Sequence, residues 1–83
     1  MAKKAPRTTE EVRYLKESMD KAELDFANAK LAYYNGTEYK GNSVEYSDLA
    51  RYAESFIAAN YAFQKARFGK VHVKLSVPHL MRE

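Results

Sequence analysis

Leu31-Ala32-Tyr33-Tyr34-Asn35-Gly36-Thr37-Glu38-Tyr39-Lys40-Gly41-Asn42-Ser43-Val44-Glu45-Tyr46-Ser47-Asp48-Leu49 is the stretch on which the reading of this chain turns. Asn35-Gly36 predicts the end of a helix, because both residue types tolerate the left-handed backbone of a C-cap. Gly41-Asn42 then reads as the centre of a type II′ turn, which pairs Tyr39 with Val44 and Thr37 with Tyr46. That register also sets Glu38 opposite Glu45, a mildly repulsive pair. An irregular loop competes with the ribbon, since two strands this short must rest on something else. Ser47 and Asp48 open a second helix, the hydroxyl as a cap and the carboxylate in the first turn.

Upstream, Thr8 and Glu11 have the spacing of a capping box. From there Val12, Leu15, Met19, Ala22, Phe26, Ala29 and Tyr33 recur every three or four residues. The spacing predicts a helix from about Thr9 to Tyr34. Leu24, Ala27, Leu31 and Tyr34 form a second, shorter stripe on nearly the opposite side. A helix in a two-helix hairpin needs one apolar face, so the second implies a cover from another direction. The tail of the same chain, a neighbouring subunit or another protein would each serve.

Downstream, Leu49, Tyr52, Phe56, Ala59, Phe63 and Ala66 repeat the pattern until Gly69 ends it, with Ala50, Ala53 and Ile57 widening the face. The short connection predicts antiparallel packing of the two helices. Beyond Gly69, Val71, Val73, Leu75 and Val77 alternate with Lys70, His72, Lys74 and Ser76. That is the pattern of a half-buried strand closed by Pro78. Its partner is either the small ribbon or another chain. The expected fold class is α+β and mostly α: an antiparallel two-helix hairpin, a short β-hairpin between the helices, and a C-terminal β-strand. It divides into a flexible basic arm at 1–7, a core at 8–69 and a tail at 70–83.

With 83 residues and no cysteine, the chain has room for one small domain and no disulfide framework. A domain this size buries only about 60% of the surface its unfolded form exposes, so a partner or copies of itself are expected to add stability. No apolar segment is long enough to span a membrane, and nothing after Met1 reads as a secretion signal, which predicts an intracellular chain. Charge is segregated. Lys3, Lys4 and Arg7 stand without an acid; residues 8–64 hold six bases and ten acids; Lys65, Arg67, Lys70, Lys74 and Arg82 then face only Glu83. Lys3, Lys4, Arg7, Lys65, Arg67 and Lys70 are therefore the candidates for contact with DNA or with an acidic protein surface. Ordinary solubility accounts for the same pattern.

Little in the sequence carries chemistry. His72 and His79 are seven residues apart with Pro78 between them, and no carboxylate flanks them, so no metal site is expected. Ser47 lacks a local base. Glu10, Glu11, Glu17, Asp20, Glu23 and Asp25 read as a solvated helix face, and Gly36, Gly41 and Gly69 form no phosphate loop. No catalysis, cofactor, membrane or small-molecule substrate is expected. Most of the aromatics fall on the seams, and the second helix lacks the Arg, Asn and Gln cluster of a recognition helix.

In residues 20–66, Gly36, Gly41, Val44, Tyr46, Asp48 and Leu49 carry a resemblance. The helix ending at a Gly, the Gly-turned ribbon and the Asp-Leu opening of a second helix resemble the small head-completion, or head–tail joining, proteins of tailed phages, the gpW-like family. The ribbon is shorter than in the best-known member of that family, and the alternating tail from Lys70 is not placed by the resemblance. The resemblance implies a virion structural protein: a connector subunit that assembles as a homo-oligomeric ring between portal and tail proteins and helps retain packaged DNA. On that expectation Leu24, Ala27, Leu31 and Tyr34 make lateral contacts, while Val71, Val73, Leu75 and Val77 add a strand to a neighbour. A small DNA-associated regulator and a small inhibitor or adaptor docking on a host protein are the alternatives.

Overall fold

The structure, a computed structural model, describes residues 9–82. Helix α1 (Thr9–Asn35) leads through strands β1 (Glu38–Tyr39) and β2 (Asn42–Ser43) to helix α2 (Tyr46–Phe68) and a single turn, α3 (Val77–Leu80). The fold is mostly helical with a two-stranded antiparallel sheet. The proposed cap Thr8 lies outside the described residues. Glu10 and Glu11 occupy the first turn of α1, where carboxylates suit the positive end of the helix dipole. The helix stops at Gly36, whose φ of 71° turns the chain. The Thr37 and Gly36 amides donate back to the carbonyls of Ala32 and Tyr33 at 2.9 and 3.4 Å, the paired bonds of a Schellman cap.

The two long helices pack along their sequence-predicted seams and run in opposite directions. Tyr33 meets Tyr46 edge to face at one end, Phe26 clusters with Leu49 and Ala53, and the Asn60 amide reaches the Met19 sulfur near the other. Ala29 and Ala53 are fully buried, so small side chains let the backbones approach closely. The large buried residues are Phe26, Leu49, Phe56 and Met81, each contributing about 2 kcal/mol of transfer free energy. Met81 comes from the far end of the chain, which is how the tail joins the core.

Helix α2 starts one residue before the proposed Ser47 cap. Glu45 precedes it with an extended backbone, and its amide donates to the Asp48 carboxylate at 3.2 Å. Asp48 also pairs with Arg51, and these two partners, the Glu45 amide first, hold its pKa below the usual carboxylate range. The ribbon forms in a different register from the expected one. Glu38 pairs with Ser43 and Tyr39 with Asn42, so Lys40 and Gly41 are the turn residues. Both have positive φ, 56° and 82°, as a type I′ turn requires. Gly41 takes the second central position rather than the first. This register removes the Glu38–Glu45 pairing and sets the Tyr39 phenol against α1.

The largest correction concerns residues 70–78. Val71, Val73, Leu75 and Val77 do not form a β-strand: the segment runs beside α2 and ends in α3. Its backbone is bonded to helix side chains instead of to another strand. The buried Gln64 carboxamide accepts from the His72 and Val73 amides at 2.8 and 2.9 Å and donates to the Val73 carbonyl at 2.8 Å. Its second hydrogen goes to Asn60 Oδ1 at 2.6 Å. One helical turn away, the Tyr61 hydroxyl donates to the Leu75 carbonyl and accepts from the Leu75 amide, both at 3.0 Å. Residues 73 and 75, two apart as in a strand, are thus satisfied by positions 64 and 61 of a helix. Ser76 then caps α3, its hydroxyl accepting from the His79 amide at 3.4 Å, with Pro78 in the first turn. Pro78 belongs to a helix start, not to a strand end.

Replacing Gln64 by Leu leaves the His72 and Val73 amides and the Val73 carbonyl without their partner. Urea denaturation should show a loss of roughly 2–4 kcal/mol. Amide hydrogen exchange should quicken at His72 and Val73 before it quickens in α1.

Candidate functional site

On α1, the residues 24, 27, 31 and 34 turn away from the seam that buries Phe26 and Ala29. Leu24 is 62% exposed, Leu31 61% and Tyr34 40%. Ala27 is exposed between them. A shallow groove of about 480 Å³ follows this face, walled by Phe26, Lys30 and Phe56 on the seam side and by Leu80 from the tail. The Lys30 ammonium sits 5.9 Å from the centre of the Phe26 ring, so the polar wall is anchored over an aromatic.

The tail reaches this face only at its rim. The Tyr34 hydroxyl donates to the Met81 carbonyl at 2.6 Å, which ties the helix end to the returning chain. Leu80 closes one end of the groove, but Leu24 and Leu31 stay open to solvent. Of the side chains expected to make a strand interface, Val77 packs against the core, Val71 and Leu75 are half-buried, and Val73 is exposed. The tail's apolar alternation therefore serves mainly the chain itself. Sequence reading assigned no role to Met81. Its burial completes the cluster of Phe26, Ala29, Leu49 and Ala53.

The basic candidates fall at the opposite end of the helical pair. Lys65, Arg67 and Lys70 are exposed in the last turn of α2 and just after it. Gly69, with φ of 84°, ends the helix by donating its amide to the Lys65 carbonyl at 2.9 Å. Lys3, Lys4 and Arg7 lie outside the described residues. Among the described residues no group of three or more His, Asp or Glu could hold a metal ion, and no helix is long and apolar enough to cross a membrane.

A polar junction that the sequence did not reveal joins the ribbon to α1. The Tyr39 hydroxyl donates to Asp25 Oδ1 at 2.6 Å, and the Lys40 ammonium lies 3.3 Å from the same oxygen. Asp25 is consequently held below the ordinary carboxylate range, chiefly by the Tyr39 hydrogen bond, which outweighs the opposing effect of burial, with Lys40 adding to it. The same bond pushes the Tyr39 phenol up, and Asp25 raises Lys40. The Tyr39 ring also meets Tyr52 of α2 edge to face at 5.9 Å, so one side chain bridges both helices. This junction ties the ribbon to α1.

No protein-family model, curated protein or solved structure matches this chain.

The Asp25 junction carries a pH signature. Its folded-state pKa is depressed, so its contribution to stability is fully present above the ordinary aspartate value of about 3.9. That contribution is lost as pH falls through the lower folded-state value. Urea midpoints of the unmodified chain and of Asp25→Asn should differ by a constant amount above about pH 5 and converge in stronger acid.

Proposed function

We propose that this chain is a non-catalytic assembly subunit, and that its class is the head–tail connector of tailed phages. In this reading it is a virion structural protein that forms a homo-oligomeric ring between portal and tail proteins, near packaged DNA. Its fine architecture is an antiparallel helical hairpin closed by a β-ribbon, with one helix face reserved for neighbours.

The observation that carries the reading is the open stripe of Leu24, Ala27, Leu31 and Tyr34 on a helix whose other face already packs. The structure measures 53 × 23 × 15 Å, a slab about one helix pair across, and among the described residues no second layer covers that stripe. A chain this small gains by burying such a face against another subunit, because apolar transfer is worth roughly 25 cal/mol per Å². Copies joined by two different faces generate a ring when the rotation closes. Strand addition by residues 70–77 is not part of the proposal, since their backbone is bonded to Gln64 and Tyr61. Of the two surfaces expected to meet neighbours, the α1 face is the one the proposal keeps. The order helix, Gly-turned ribbon, helix around Gly36, Gly41 and Asp48 supports the phage class by resemblance.

Leu31→Asp tests the proposal. Leu31 is mostly exposed, so the variant should keep its far-ultraviolet circular dichroism and lose no more than about 0.5 kcal/mol of stability. Sedimentation of concentrated samples should show the unmodified chain assembling and Leu31→Asp remaining a monomer. A variant that unfolds, or an unmodified chain that stays monomeric both alone and with portal protein, overturns the reading.

A further inference from the structure

A second surface lies where α2 gives way to the tail. From Ser55 to Arg82 the sequence contains no acidic residue. Within that stretch Lys65, Arg67, Lys70 and Lys74 are all exposed, three of them on the last helical turn and the first residue after its glycine cap. Phe68 stands among them with 52% of its surface open to solvent. Its ring is flanked rather than covered. The Arg67 guanidinium carbon is 5.5 Å from the ring centre, and the His72 ring meets it edge to face at 5.3 Å.

The Gln64 clamp sets this arrangement. By seizing the His72 and Val73 amides it bends the chain back along α2, which brings His72 against Phe68. Had residues 70–77 left as a free strand, Lys70, His72 and Lys74 would have departed with it. The antiparallel seam also brings the first turn of α1 to this end, with Glu10 and Glu11. Those two acids limit the positive charge on one flank and leave the α2 flank uniformly basic.

An exposed apolar ring would ordinarily be an isolated surface residue of no consequence. This one is flanked by a guanidinium and an imidazole, and Lys65, Lys70 and Lys74 are exposed on the same acid-free stretch of chain. That combination, exposed cations and an aromatic platform, is the chemistry that holds an unpaired nucleic-acid strand. A carboxylate-rich protein surface would use the cations and leave Phe68 idle. A duplex would likewise use the cations, but its stacked bases could not reach the ring.

We infer that this end of the molecule binds single-stranded nucleic acid, with Lys65, Arg67, Lys70 and Lys74 on phosphates and a base stacked on Phe68. The site is separate from the open face of α1, and its occupancy does not depend on assembly. Binding of fluorescein-labelled oligothymidine to the full chain, followed by anisotropy across a salt series, tests it. The logarithm of affinity should fall linearly with the logarithm of salt concentration, with a slope near −3 if about four phosphates are neutralised. Lys70→Ala combined with Lys74→Ala should flatten that slope by about one to one and a half. Phe68→Ala should weaken binding about tenfold and leave the slope unchanged, because stacking releases no counterion. All of these side chains are exposed, and circular dichroism should report an intact fold in each variant. Three results overturn the inference: no binding, binding indifferent to Phe68 and to the lysine pair, or equal affinity for polyglutamate. Preference for duplex over oligothymidine, with Phe68→Ala silent, overturns the stacking role and with it the single-strand assignment.

Discussion

Everything at the C-terminal side of this protein depends on one carboxamide. Gln64 is buried, and both its hydrogens and its oxygen are engaged, so the usual penalty for a buried amide is offset by four hydrogen bonds. Asn60 fixes the orientation of the amide from one helical turn away. The rest of the amide acts as a strand partner would, meeting the amide and the carbonyl of Val73 together. Tyr61 repeats the arrangement at Leu75 with a hydroxyl that both donates and accepts. These contacts aim the chain toward α3, and α3 delivers Met81 into the core beside Phe26 and Leu49. Tyr34 then seals the closure by bonding to the Met81 carbonyl.

This closure has a geometric consequence for α1. Among the described residues the tail packs on the seam and on the end of the groove, and Leu24 and Leu31 stay exposed. The exposed stripe thus follows from where the tail's backbone is captured. The choice of Ala at positions 29, 32, 53 and 66 works in the same direction, since small buried residues thin the core. The length of the two helices, 27 and 23 residues, makes the structure elongated, with a radius of gyration of 15.0 Å against about 12 Å expected for a compact chain of this length.

Much of this was legible in the sequence. The three-and-four spacing from Val12 to Tyr33 and from Leu49 to Ala66 located both helices and their facing seams, and Asn35-Gly36 and Gly69 marked their ends. The stripe at 24, 27, 31 and 34 was equally plain, because helical periodicity depends on backbone geometry alone. The tail was misread for an instructive reason. Alternation of Val71, Val73 and Leu75 reports an extended backbone, and the backbone beside α2 is free of helix until Val77. Alternation says nothing about what partners it. Gln64 and Tyr61 look like ordinary polar positions on a helix until the tail is placed against them. Ser76-Val77-Pro78 did carry a usable signal, a cap followed by Pro in a first turn, which competed with the reading of Pro78 as a strand terminator. The ribbon register failed on a smaller margin. Gly41 suits either central position of a two-residue turn, and the choice fell to the Tyr39–Asp25 bond, which joins residues fourteen apart.

The two surfaces left open differ in kind, and the difference follows from which helix bears each. On α1 the exposed apolar residues sit among charges of both signs, Glu23 and Lys30 along the same groove. Such a face favours a protein partner, where apolar area supplies the affinity and rim charges set the register. At the end of α2 the exposed charges of α2 and the tail are all basic, with Glu10 and Glu11 of α1 on the other flank, and the apolar element is a single planar ring. A flat ring among cations buries too little area to hold a protein and matches the width of a base. Because the Gln64 clamp brings His72 back against Phe68 while Leu80 closes the groove end and the Met81 carbonyl accepts from Tyr34, one returning tail shapes both surfaces. A change in how the tail docks would therefore alter the two together, although they lie at opposite ends of the helical pair.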